Sequence, residues 1–220
     1  MKQQKLYGAE ILSVKKKVVS IGAHPDDVEI GTGGSLAKHT DKGDDTHIIL
    51  CTLGGVSGDP KVREQEALAA AGILGAHLHI IDYPVSKLNE PSYDFVKVIK
   101  KVIDEINPDR IYVHSPFDYH QVHVTVCRSA IRAAKNIKQI LFYEETASTT
   151  ADFKPNAFVD VTNYIDLKIK SAEVHRTQSS KIYMQPNFLR SLANTRYVLS
   201  KIGLNPNGMA EAFILYKFIL

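Results

Sequence analysis

His24, Asp26 and Asp27 stand together directly after a short apolar run, Val18 to Gly22. Two adjacent carboxylates repel each other, and both lose solvation where a site is enclosed. A divalent cation beside them offsets that cost, because the ion becomes the largest local charge. A second group lies at Asp118-Tyr119-His120-Gln121-Val122-His123, where His120 and His123 are spaced so that both can face one cavity. With His24 and Asp27 they make a two-histidine, one-carboxylate donor set that leaves positions open for water. Such sets hold zinc in hydrolases and Fe(II) in oxygenases. The spare carboxylate favours hydrolysis: a water-activating hydrolase needs a base beside the ligand, and an iron oxygenase has no use for one.

The elements that must carry these residues can be read from apolar periodicity. Val18–Gly22, Thr46–Thr52, Leu78–Ile81, Arg110–His114 and Gln139–Glu144 read as strands. Helix-period segments alternate with them at Gly33–Lys42, Val62–Leu74, Tyr93–Asn107 and Val122–Lys135. This alternation predicts a Rossmann-like, mostly parallel α/β sheet with helices on both faces. In such sheets ligands bind beyond the carboxyl ends of the strands. His24 to Asp27, Gly54 to Gly58 and Ser115 to His123 all fall there, after the first, second and fourth strands. Farther on, the sequence predicts a polar loop over Thr146–Asn156, helices over Val161–Thr177 and Phe188–Ile202, and a terminal strand over Glu211–Ile219. No repeat or linker asks for a second domain. Residues 1–220 are read as one domain, with a core over 17–145 and a C-terminal subregion, 146–220, that completes the site.

On these residues the chain resembles the PIG-L/LmbE-like metal-dependent de-N-acetylases, which act on N-acetylglucosamine-type sugars. The family's opening motif stands as Ala23-His24-Pro25-Asp26-Asp27, followed by Gly31-Thr32-Gly33-Gly34. Thr52-Leu53-Gly54-Gly55, Arg63-Glu64-Gln65-Glu66, the pair His120 and His123, Ala172 to Gln178 and Ala210-Glu211-Ala212-Phe213 resemble further family segments. The resemblance implies that His24, Asp27 and His123 hold the metal, Zn2+ or another divalent ion such as Fe2+. It also implies that Asp26 is the general base and that His120 stabilises the oxyanion. Many members read His-Pro-Asp-His at the second pair, whereas this chain has Gln121-Val122 between its histidines. Either Asp118 replaces the missing acid, or His120 has a lower pKa. The implied products are acetate and a free amino sugar.

The alternatives are an amidase of the same fold acting on another sugar amide, and a non-catalytic Rossmann-like nucleotide-binding protein. The second expects a glycine-rich fingerprint where His-Pro-Asp-Asp stands. Arg63 is a candidate anchor for substrate or a helical partner of Glu66. Tyr119 and His175 are candidate substrate contacts, with Gln178 near His175. His39, His47, His77, His79 and His114 read as structural or exposed. Glycines 31, 33 and 34 read as close backbone packing at a helix start.

Composition narrows the partners. The net charge is +3, and the one basic run, Lys15-Lys16-Lys17, flanks a strand, so no nucleic-acid partner is expected. Cys51 and Cys127 have no metal-ligand spacing and read as reduced core residues. No run reaches the ~20 apolar residues of a membrane span, and Met1 to Lys17 lacks a signal-peptide centre, so a cytoplasmic protein is expected. The partner expected is a small amino-sugar substrate, and the sequence leaves a homo-oligomer open.

Overall fold

The computed structural model describes residues 15–54 and 58–219. Most of the N-terminal stretch read for a leader, and Gly55, Val56 and Ser57 of the loop after the second strand, lie outside the described residues.

Five parallel strands form the body of one seven-stranded sheet: β1 (Lys17–Gly22), β2 (Asp45–Leu50), β3 (His77–Ile80), β4 (Arg110–His114) and β5 (Gln139–Tyr143). Strands β6 (Ala157–Asp160) and β7 (Ala210–Phe218) complete it, β7 running antiparallel to both β5 and β6. The order is β3-β2-β1-β4-β5-β7-β6. Strand order reverses between β1 and β4, so a crevice opens beyond their carboxyl ends.

Both faces of β1 are buried, as expected for a central parallel strand. Val19 and Ile21 pack with Phe95, Ile99 and Ile103 of α3 (Tyr93–Ile106) and with Val126 and Ala130 of α4 (Gln121–Ala133). Val18 packs on the other face with Leu36 of α1 (Asp27–Asp41) and Ala67, Ala71 and Leu74 of α2 (Pro60–Leu74). A smaller cluster seats α5 (Ile165–Glu173) and α6 (Pro186–Ser200) beside α1, through Ile30, Ile165, Ile169, Leu189 and Ala193. Local signals fix the helix ends. Asp59 accepts the Lys61 N–H and Pro60 opens α2, while Gly75 ends it with φ 67°. Ser92 caps α3 by accepting the Phe95 N–H.

The structure corrects two sequence expectations and adds one strand. Helix α1 begins at Asp27 rather than Gly33, so its glycines lie within the helix and not at its start. Close packing overrides helix propensity there: a Cβ on Gly31 would stand 2.3 Å from the Tyr143 ring. The segment around 157–160 pairs with β7 as an additional strand, which its four residues were too short to signal. The helix read over 161–177 is confined to Ile165–Glu173 and is followed by a short 3₁₀ turn at Arg176–Gln178.

The middle of α1 has outside partners. In a regular helix the Gly34 N–H would bond the Ile30 carbonyl. Here Gly34 and Ser35 donate to the two carboxylate oxygens of Glu211, at 2.9 and 2.8 Å. The Lys168 ammonium donates to the Ile30 carbonyl and to Glu211. Both side chains are buried. Among the described residues, no helix is long and apolar enough to cross a membrane.

Candidate active site

The turn between β1 and α1 supplies the first half of the site. The His24 backbone N–H donates to Asp27 Oδ2 at 2.7 Å, which fixes the carboxylate at the first position of α1. Asp26 precedes the helix with φ 106°, and its side chain caps nothing. Its carboxylate lies instead 3.5 Å from the Arg63 guanidinium of α2, which also donates to the Pro25 carbonyl at 2.6 Å. The loop after β4 supplies the second half. Asp118 accepts the His120 backbone N–H at 2.7 Å and lies 3.1 Å from His123 Nδ1. That contact leaves His123 Nε2 facing His24.

His24 Nδ1 and His123 Nε2 are 3.3 Å apart. The Asp27 carboxylate lies 3.5 Å from each, through Oδ2 toward His24 and Oδ1 toward His123. Ligand atoms about 2.1 Å from one ion stand roughly 3.0–3.4 Å apart, so this donor set fits a zinc-class cation. Burial disfavours charge on His123, yet Asp27 and Asp118 raise its pKa, so these carboxylates favour positive charge at this point. The rings of His120 and His123 stack at 4.2 Å, and His120 meets His24 edge-on at 5.0 Å.

A cavity of about 290 Å³ opens over these groups, lined in part by His24, Asp26, Asp27, Arg63, His120 and His123. Glu145, Ser148, Lys181 and Tyr183 also line it. The two adjacent carboxylates behave oppositely. Burial and the neighbouring Asp27 charge push Asp26 up to about 6, against the pull of Arg63. Burial also acts on Asp27, but His123 and His114 hold it well below the usual carboxylate range. Burial, then the His123 and His24 charges, push His120 down to about 4, so its imidazole is neutral. Glu145 is buried, and its pKa is raised further by Asp27 and Asp26.

Tyr119 is exposed and does not line the cavity. His175 lies behind the site, fully buried, with Nε2 3.4 Å from Glu29. Gln178 is buried close by, so neither sits on a solvated helix face. Arg63 pairs with Asp26 and Pro25, and Glu66 instead accepts the backbone N–H and hydroxyl of Thr177. Asp118 turns to His123 rather than to the His120 ring, which leaves the lowered pKa as the outcome at His120.

One residue that sequence reasoning set aside belongs here. His114 is fully buried, with Nε2 3.0 Å from Asp27 Oδ2 and its ring stacked on His123 at 4.0 Å. Its place at the carboxyl end of β4 was the available signal. Lys181 and Tyr183 carried none.

The PIG-L family, described as GlcNAc-PI de-N-acetylase, matches residues 19–135. The chain belongs to the PIG-L family. It is 32% identical to the uncharacterized deacetylase YaiS of Escherichia coli, over 74% of this chain and 92% of that protein. The diacetylchitobiose deacetylase of Thermococcus kodakarensis is 27% identical, over 74% of this chain and 70% of its own length. Among solved structures, GalB, the 4-carboxy-2-hydroxymuconate hydratase of Pseudomonas putida, superposes with a TM-score of 0.79 at 20% identity. That match covers 93% of this chain and 98% of GalB, and at this identity it shows the shared fold. As a PIG-L member the chain is an enzyme of the de-N-acetylase kind.

Proposed function

We propose that this enzyme removes the acetyl group from an N-acetylated amino sugar or its conjugate, releasing acetate and a free amine. The observation that carries this reading is the divergence of Asp26 and Asp27 within one cavity. Burial and the Asp27 charge push Asp26 up to about 6 while His123 and His114 hold Asp27 low, the pattern that separates a proton-transfer group from a ligand.

In this reading His24, Asp27 and His123 hold one divalent ion, zinc being favoured because the reaction is a hydrolysis that a Lewis acid serves. When bound, the ion supplies Lewis acidity, which lowers the pKa of a water to about 7 and polarises a carbonyl oxygen. Asp26 accepts a proton from the attacking water, its pKa of about 6 leaving it ionised at neutral pH and basic enough to act. The same carboxyl then delivers that proton to the departing amine. His120, neutral, donates an N–H bond to the oxygen that becomes negative. A donor of this kind is worth about 3–4 kcal/mol. Arg63 holds Asp26 in place through the Pro25 carbonyl and the carboxylate itself. Lys181 and Tyr183, across the cavity, are placed to meet the sugar.

An acetate-release screen over free, lipid-linked, nucleotide-linked and thiol-linked N-acetylglucosamine derivatives tests the substrate. Metal analysis of two variants tests the roles. Asp26→Asn should keep its metal while turnover falls ~10²–10⁴-fold, and His123→Ala should lose the metal. Loss of metal from Asp26→Asn as complete as that from Asp27→Ala would merge the two carboxylate roles. Turnover of an unsaturated acid without acetate release would place the chain with its hydratase relatives instead.

A further inference from the structure

Three of the nine histidines lie together at the edge of the sheet, away from the cavity. In the β2–β3 pairing His47 stands beside His77, and Ile49 beside His79. Side chains alternate along a strand, and paired residues of parallel strands share a face, so all three imidazoles project from the same side. The His47 ring lies 5.2 Å from that of His77 and 5.3 Å from that of His79, tilted 34° and 35°. His47 Nδ1 is 3.0 Å from His79 Nε2.

We propose that His47 Nδ1 and His79 Nε2 hold a second divalent transition ion of the zinc, nickel or copper kind, with His77 as a further donor. The 3.0 Å separation matches the roughly 3.0–3.4 Å between two ligands about 2.1 Å from one ion. A bare N–H···N bond between the rings gives the same distance, and the zinc stoichiometry below separates the two. Asp45 Oδ1 lies 3.3 Å from His47 Nε2. This is where the carboxylate behind a ligating histidine stands, engaging the ring through its other nitrogen. The same oxygen lies 3.6 Å from His77 Nε2. The His77 side chain is 72% exposed, so its ring is free to turn toward the pair.

The electrostatics agree. The charge of Asp45 favours a positive charge at His47, and that of Glu105 on α3 does so at His79. Burial, and then the neighbouring histidines, keep both His47 and His79 below the ordinary imidazole value. Their lone pairs are therefore available at neutral pH. Imidazole donors select late first-row ions over magnesium or calcium. The site is built from β2 and β3 alone and does not depend on the catalytic reading.

The test is zinc stoichiometry. Chelator-stripped full-length protein is dialysed against zinc and assayed by elemental analysis, with a thermal melt on every sample. Wild type should hold two equivalents per chain. His79→Gln should hold one and keep its hydrolytic turnover, since His79 does not line the cavity. His123→Ala should also hold one, and the double variant none. His77→Ala should keep the second equivalent with at least tenfold weaker affinity, which reads the site even if His79→Gln melts early. One equivalent in the wild type, removed by His123→Ala and untouched by His79→Gln, would overturn the proposal. Loss of zinc from His79→Gln but not from His123→Ala would leave the edge site standing and sink the catalytic ligand set instead.

Discussion

Asp26 stands on a backbone of φ 106°, a region that side-chain-bearing residues seldom occupy. Strain of about 1–3 kcal/mol at such a position persists only where its surroundings enforce it. The Arg63 bond to the Pro25 carbonyl and the His24 bond to Asp27 do so here. The carboxylate adds its own cost. Its folded pKa of about 6 exceeds the ordinary 3.8, so the folded state binds the proton more tightly. Stability from this group is therefore full below about pH 4 and is lost as pH rises through about 6. Asp26→Asn should accordingly stabilise the chelated protein at pH 8, on the order of 2–3 kcal/mol, and do little at pH 4. Urea denaturation at the two pH values reads the difference, and equal gains at both would assign the effect to the backbone alone. The five residues His24, Asp26, Asp27, His120 and His123 were legible because each group is compact in sequence and follows a strand. His114 was not, because a lone histidine closing an apolar strand looks the same whether it meets solvent, core or Asp27.

Helix α1 shows where element boundaries escape a one-dimensional reading. Its run of glycines argues against helix by propensity, and the reason position 31 takes no side chain lies in β5, more than a hundred residues away in sequence. Tyr143 packs flat against Gly31 and anchors its hydroxyl to the Ile21 carbonyl at 3.0 Å, so it cannot give way. Gly31→Ala should then destabilise the protein by about 1–3 kcal/mol despite alanine's better helix propensity. Gly72 in α2 has open space where a Cβ would go, and Gly72→Ala should stabilise by about 0.5–1 kcal/mol. Opposite signs in denaturant midpoints are the expected outcome; stabilisation by both would mean that the Tyr143 contact is slack. Strand β6 was illegible for a related reason, since its four residues gain their pairing only from β7. By contrast, α3 announced itself, with Phe95, Ile99, Ile103 and Ile106 buried on one face and Ser92 and Asn107 at its ends.

At the level of the whole molecule, the parallel core follows the alternation of elements in the sequence, and the reversal of strand order between β1 and β4 puts both histidine-bearing loops on one crevice. What the alternation could not reveal is how the last strand enters the helix that begins with Asp27. Glu211 accepts two backbone N–H groups of α1 and the Lys168 ammonium, all out of water. Breaking such a pair from one side costs on the order of 3–5 kcal/mol, so Glu211→Gln should lower stability by about that amount. Lys168→Met combined with Glu211→Gln should lose less than the two single changes added together, as read by urea melts of all three variants. The Gly34 partner lies 177 residues further along the chain. A ribosome therefore releases the segment bearing His24, Asp26 and Asp27 long before the group that steadies its helix. A nascent chain stalled ahead of Glu211 would hold the reactive side chains without the frame that aligns them.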